Sequence, residues 1–414
     1  MDIDAGATAW VLTSAALVLF MTPGLAFFYG GMVRSKNVLG MLMQNVFSMG
    51  IISVLWVAVG FSLAFGDGGN LIGDLSLAGL GDLGSEGFTI PGYVDDFALI
   101  IPPVAFATYQ MMFAVITPAL ITGAVADRMR FAAYAVFIAA WSLLVYAPVA
   151  HWVFSPTGWL FALGALDFAG GAVVHINAGA AALVLCLMLG RRKGWPTTAM
   201  PPHNLPFTVL GTGILWFGWF GFNAGSALGA NGLAAQAFLN TNTAAAAGML
   251  GWLVVERLRT GHATTLGAAS GAVAGLVGIT PCAGFVGGTS AIAIGAIAGV
   301  LCFLAISLKT KLGYDDSLDV VGVHLVGGLV GSLLLGVFAD SGVNALGADG
   351  LLFGGGATLL GKQVVASAVT FAYSAVVTAV LAKIIDLAIG LRVAPEDEDR
   401  GLDVSQHAEV AYNL

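Results

Sequence analysis

Asp167-Phe168-Ala169-Gly170-Gly171-Ala172-Val173-Val174-His175-Ile176-Asn177 places a carboxylate, a histidine and an amide inside a chain that is otherwise almost uncharged. Much later, Asp319-Val320-Val321-Gly322-Val323-His324 repeats the order carboxylate, glycine, histidine, again leading into a long apolar run. An ionisable side chain within a membrane span is costly, and it marks a functional site whose partner has to be found. His175 and His324 are therefore expected to meet in one pore.

The rest of the chain supplies the setting for that expectation. Hydrophobic residues make up 58% and charged residues 9%, against roughly 25% charged in a soluble domain. The class is an all-α polytopic membrane protein. Glycine, at 58 residues, is far above its usual share of about 7%, and small residues let membrane helices approach closely. A net charge of -8 leaves no electrostatic footprint for a nucleic acid. Cys186, Cys282 and Cys302 sit in apolar runs without metal-ligand spacing and read as packing residues.

Eleven apolar runs approach the roughly 20 helical residues needed to cross a bilayer: 8–31, 38–65, 98–123, 131–153, 170–190, 205–224, 233–256, 263–281, 286–308, 318–338 and 363–391. Met1-Asp2-Ile3-Asp4 has no basic leader and suits an external N-terminus. Fourteen of the fifteen Lys and Arg then fall on one side, only Lys362 on the other, which the positive-inside rule makes cytoplasmic. The connection 66–97, with Asp67, Asp74, Asp82, Glu86, Asp95 and Asp96, belongs outside. N-terminus out and C-terminus in follow. Eleven spans divide into five, five and a long last helix. Two five-span halves (about 8–190 and 205–338) must be inserted oppositely, an inverted repeat that brings its two ends to one midplane site. Trp10, Trp56, Trp141 and Trp195 are expected at the interfaces as bilayer anchors.

Met21-Thr22-Pro23-Gly24-Leu25-Ala26-Phe27-Phe28-Tyr29-Gly30-Gly31, the 167–177 block, Trp219-Phe220-Gly221-Phe222-Asn223-Ala224-Gly225-Ser226 and Gly322-Val323-His324 resemble the signature segments of the ammonium transporter family, the Amt branch of the Amt/Mep/Rh group. The resemblance covers nearly the whole chain. It implies a homotrimer of eleven-helix protomers in a prokaryotic cytoplasmic membrane, each moving ammonium nitrogen, with methylammonium as an analogue, through its own narrow pore. It also assigns a Phe113 and Phe222 gate above the histidine pair, and an outer ammonium site of Phe113, Phe154 and Ser226. Phe154 stands where the family commonly has Trp, so Trp152 or Trp159 is the other candidate for that ring.

The chemistry can be argued beside the resemblance. Taking a bare monovalent cation into a low-dielectric interior costs on the order of 20 kcal/mol in the idealised Born limit. Neutral ammonia avoids that cost, and potassium, of similar size, has no proton to lose. Imidazole both donates and accepts hydrogen bonds and titrates near neutrality, so two of them suit an uncharged conduit with a possible proton relay. Asp167 reads as a helix cap whose charge helps draw in or deprotonate the cation, with Asp319 as its counterpart in the second half. No cofactor, metal or enzymatic constellation stands out. His151, His203, His262 and His407 read as solvated or interfacial.

Composition changes at 392–414, which resembles the family's cytoplasmic regulatory tail, crossing to a neighbouring protomer and engaging a PII-type trimer. Ala408 stands where the family commonly has glycine. Two other functions remain: an ammonium sensor using the same pore with little flux and signalling through the tail to a kinase, and a channel for water or carbon dioxide.

Overall fold

The structure, a computed structural model, describes residues 3–85 and 87–412. Asp2 and Glu86 of the acidic segments expected outside lie beyond the described residues, as do the last two positions of the tail. Among the described residues the architecture is helical, with one isolated β-bridge between Met129 and Arg392.

In a bilayer every backbone polar group has to be satisfied internally, so an apolar chain of this length is driven to helix. The principal helices are α1 (Ala5–Met32), α2 (Ser35–Phe65), α3 (Pro103–Val125), α4 (131–154), α5 (Gly171–Leu189), α6 (Leu205–Ala224), α7 (Gly232–Thr260), α8 (Thr265–Ile279), α9 (Gly288–Leu312), α10 (Val321–Phe338) and α11 (Thr358–Ile389). Side-chain caps fix several of the starts: Asp4 accepts from Ala7 N–H, Asn204 from Phe207 N–H, Asn231 from Ala234 N–H and Thr264 from Gly267 N–H. Gly261 and Gly313, in the left-handed region, end α7 and α9.

Among the described residues, ten helices are long and apolar enough to cross a membrane. The remaining candidate, α8, has 15 residues, about 22 Å of helix against a hydrocarbon core of about 30 Å. The chain continues from it through irregular residues 280–286, all buried. Irregular backbone is tolerated at membrane depth when it is enclosed by protein.

The first helices of the two halves, α1 and α6, lie against one another at glycine-sized separation: a Cβ at Gly211 would stand 2.2 Å from Phe28 N. The last helices, α5 and α10, do the same, with a Cβ at Gly179 2.5 Å from Leu325 N. First thus pairs with first, and last with last.

Several sequence expectations are corrected. Trp56 and Trp141 are not interfacial anchors but buried, their indole N–H groups donating to Ala107 O and Thr378 Oγ1. His151 is not solvated: it is fully buried, one ring nitrogen 2.8 Å from Ala64 O and the other 2.8 Å from Gly69 O. Cys186, Cys282 and Cys302 are buried free thiols.

Candidate functional site

Both histidines lie on π turns, Gly171–Ile176 at the head of α5 and Val321–Leu325 at the head of α10. Such turns insert one residue per turn and re-aim a side chain. Here they point the rings at each other, Nδ1 to Nδ1 at 3.2 Å with planes 18° apart. The rings are 1% and 3% exposed, so this contact is made away from bulk water. They border a cavity of about 10 Å³, room for about one water-sized molecule. Its other walls are apolar or aromatic, among them Leu25, Phe28, Ile116 and Trp219. The indole of Trp219 stacks on His175 at 5.6 Å and 22°. One Nδ1 must donate and the other accept, so in a neutral pair one ring offers a free acceptor at Nε2 and the other a donor.

Asp167 holds the start of α5. Its carboxylate accepts from the N–H groups of Gly170, Gly171, Ala172 and Val173 at 2.6–3.2 Å. The counterpart in the second half is Asp316, not Asp319. Asp316 accepts from Val321 N–H at 2.7 Å and stands eight residues before His324, as Asp167 stands eight before His175. Asp319 is instead paired with Lys309, and its backbone adopts φ 67 so that its carbonyl receives Val323 N–H. The matching interval was present in the sequence, but three acids within five residues obscured which one kept it.

Above the histidines, the Phe113 and Phe222 rings are 4.4 Å apart at 43°, and Phe222 lies 6.1 Å from His175 in a stacked orientation. Phe113, Phe222, His175 and His324 thus form one continuous line of rings. Beyond Phe113 opens a cavity of about 500 Å³ bordered by Gln110, Phe113, Phe154, Asp167 and Ser226. Ser226 donates to Phe222 O at 2.9 Å. Tyr109, which the sequence did not single out, holds the same corner through Gly221 O and Phe222 O and approaches Ser226 Oγ at 3.2 Å. Trp152 and Trp159 do not border this cavity. Trp152 donates to Leu71 O at 2.6 Å and packs on Trp159 and Tyr373, so of the three candidate rings only Phe154 borders the cavity.

The family model described as Ammonium Transporter Family matches residues 9–412. The chain belongs to the ammonium transporter family. An ammonium transporter of Bacillus subtilis (strain 168) is 52% identical, over 98% of this chain and 98% of the relative. One of Mycobacterium tuberculosis (strain H37Rv) is also 52% identical, over 99% of this chain and 91% of the relative. Among solved structures, Saccharomyces cerevisiae Mep2 superposes with a TM-score of 0.89 at 37% identity, covering 96% of this chain and 89% of that one. A structure described as a Sensor Amt Protein does so with 0.87 at 31%, covering 97% and 98%.

In this member of the ammonium transporter family residues 391–412 fold back onto the chain. Residues 391–393 pair with 128–130, and helices α12 (Pro395–Arg400) and α13 (Leu402–His407) fold back beneath α2. Glu398 binds Arg392 and the Lys193 N–H, Asn37 accepts from Leu402 N–H, and Asp403 from Gly40 N–H. Tyr412 meets His203 at 2.8 Å. Ala408 has φ 55 and ψ 31, the left-handed conformation that favours glycine.

Proposed function

We propose that this protein carries ammonium selectively across the cytoplasmic membrane. The observation that supports it most directly is the 3.2 Å imidazole pair inside an apolar constriction, beneath two packed phenyl rings and a cavity bordered by a carboxylate, a hydroxyl and an aromatic face. In this reading external ammonium is recruited beside Phe113, Phe154 and Ser226, where an aromatic face adds roughly 0.5–2 kcal/mol of cation attraction. Asp167 biases that cavity toward cations while it caps α5. The proton passes to water of the outer cavity before the Phe113 and Phe222 gate, because the dry passage below does not solvate a bare ammonium ion. Nitrogen then passes His175 and His324 as ammonia, and a proton taken up at one Nε2 can leave from the other through the shared Nδ1 bond.

Eleven crossings with the N-terminus outside accord with the one-sided distribution of fourteen of fifteen cations, with α8 and its buried extension as the eighth. An inverted repeat accords with the α1/α6 and α5/α10 pairings. We further propose assembly as a homotrimer and a tail, 392–414, that engages a PII-type protein at the cytoplasmic face.

A second reading, ammonium sensing through the same pore with little flux, draws on the likeness to a Sensor Amt Protein. Proteoliposomes containing the pure protein separate the two. Transport predicts an ammonium-evoked current or labelled methylammonium uptake with no comparable potassium response. Ammonium binding without uptake or current selects the sensor, and a potassium response of equal size refutes selectivity by deprotonation.

A further inference from the structure

The π turn of α5 leaves one backbone carbonyl without its usual partner. In an α-helix the N–H of Asn177 would reach the carbonyl four residues back, Val173 O. Here it reaches Ala172 O, five back, together with Val174 O. His175 N–H likewise reaches Gly170 O, five back, at 3.1 Å. Val173 O thus loses its α-helical partner, and the side chain of Asn177 bonds it instead, Nδ2 donating to it at 3.2 Å.

Helix α11 grips the same segment from outside. Ser374 donates to Asn177 O at 2.8 Å. Further toward the start of both helices, Gln363 Oε1 accepts from Leu166 N–H and its Nε2 donates to Leu166 O, both at 2.8 Å. The two attachments have the same sequence offset of 197, so α11 runs in register beside the whole stretch that carries Asp167 and His175. Asn177, Ser374 and Gln363 are all buried. The second half has no such device: Val326, two residues after His324 as Asn177 is two after His175, carries no side-chain donor.

We propose that Asn177 is a positioning residue for the pore, locking with its side-chain amide the π turn that aims His175 at His324, while Ser374 and Gln363 hold that turn from α11. An open carbonyl in a dry interior is expensive. The π turn of α10 stands without such a donor, so the amide is not a requirement of the turn itself; in α5 its loss shifts the balance toward α-helical pairing. This removes one inserted residue and rotates what precedes it by about 100°, carrying His175 away from its partner. The inference rests on the reading of the two histidines as the conduit.

The test is methylammonium uptake, with its external pH profile, in proteoliposomes of wild type, Asn177→Ala, Asn177→Ser and His175→Ala. A serine hydroxyl in a helix donates to the carbonyl four residues back, so it restores what alanine removes. Asn177→Ala is expected to lower uptake at least tenfold and shift the pH profile at unchanged yield of folded protein, and Asn177→Ser to recover most of it. Wild-type behaviour of Asn177→Ala, or equal impairment of the serine variant, overturns the proposal. Should Asn177→Ala fail to fold, Ser374→Ala reads the same clamp: reduced uptake with a shifted pH profile supports it, and wild-type values overturn it. Unchanged uptake in His175→Ala refutes the conduit reading and this one together. Loss in His175→Ala beside normal Asn177→Ala refutes positioning alone.

Discussion

Ala408 sits in the left-handed region with its N–H bonded to Val404 O at 3.1 Å, where a Cβ costs about 1–2 kcal/mol and glycine avoids it. Ala408→Gly should therefore stabilise α13 against opening by about 1 kcal/mol after glycine's own entropy is counted. The check is hydrogen exchange: protection of amides 402–409 should rise about fivefold, and unchanged or lower protection would refute the strain. The need for glycine at this position was visible only as a departure from a family pattern, because φ is set by how α13 turns away from α2. Asp316 teaches the same lesson. Chemistry alone could not choose among Asp315, Asp316 and Asp319; backbone placement gave the first to Arg192, the second to the cap and the third to Lys309.

At the scale of elements, the crossing of α5 and α10 depends on two glycines in matched places, each four residues after its histidine. Their tolerances differ. A Cβ at Gly179 meets backbone, 2.5 Å from Leu325 N, whereas one at Gly328 stands 3.0 Å from Gly171 O and His175 Cβ. Overpacking costs typically about 1–3 kcal/mol, so Gly179→Ala should lower the thermal midpoint in detergent clearly more than Gly328→Ala. Equal shifts would mean that the helices separate freely. Long periodic helices were readable from hydropathy alone. The π turns were not, since Gly171–Ile176 is as apolar as its surroundings and the inserted residue leaves no compositional mark. Nor was the shortness of α8, whose buried continuation is equally apolar.

For the whole molecule, the connections that carry Arg34, Asp127, Arg192 and Asp315 are tied by buried charge. Arg192 makes a bidentate pair with Asp315 at 2.8 and 2.9 Å and also reaches Asp127, which Arg34 binds from another loop. Burial raises the Asp315 carboxyl, but the hydrogen bonds and charge of Arg192 outweigh it and hold the group below the ordinary carboxylate value. A carboxyl depressed on folding stabilises above its unfolded value, about 3.9, and loses that contribution as pH falls through the folded one. Removing one partner of a buried pair costs about 3–5 kcal/mol. Arg192→Gln should therefore destabilise the protein most near neutral pH, the gap narrowing as pH falls and the unpartnered Asp315 carboxyl, raised by burial, takes up its proton. Thermal unfolding at pH 3–7 measures it, and a gap that stays constant or widens in acid would refute the linkage.

The sequence by itself determined the membrane class, the helical content, the family and the pair of histidines worth bringing together, because hydropathy, one-sided cations and motif order are local properties of the chain. Only the tertiary structure decided that Asp316 answers Asp167, that Trp219 walls the inner cavity and Tyr109 holds the Ser226 corner, that Trp152 turns elsewhere and that residues 391–412 fold back on the chain. Each of those depends on which backbone groups of distant segments face one another, and that follows from glycine-level contact between helices rather than from any residue's own chemistry.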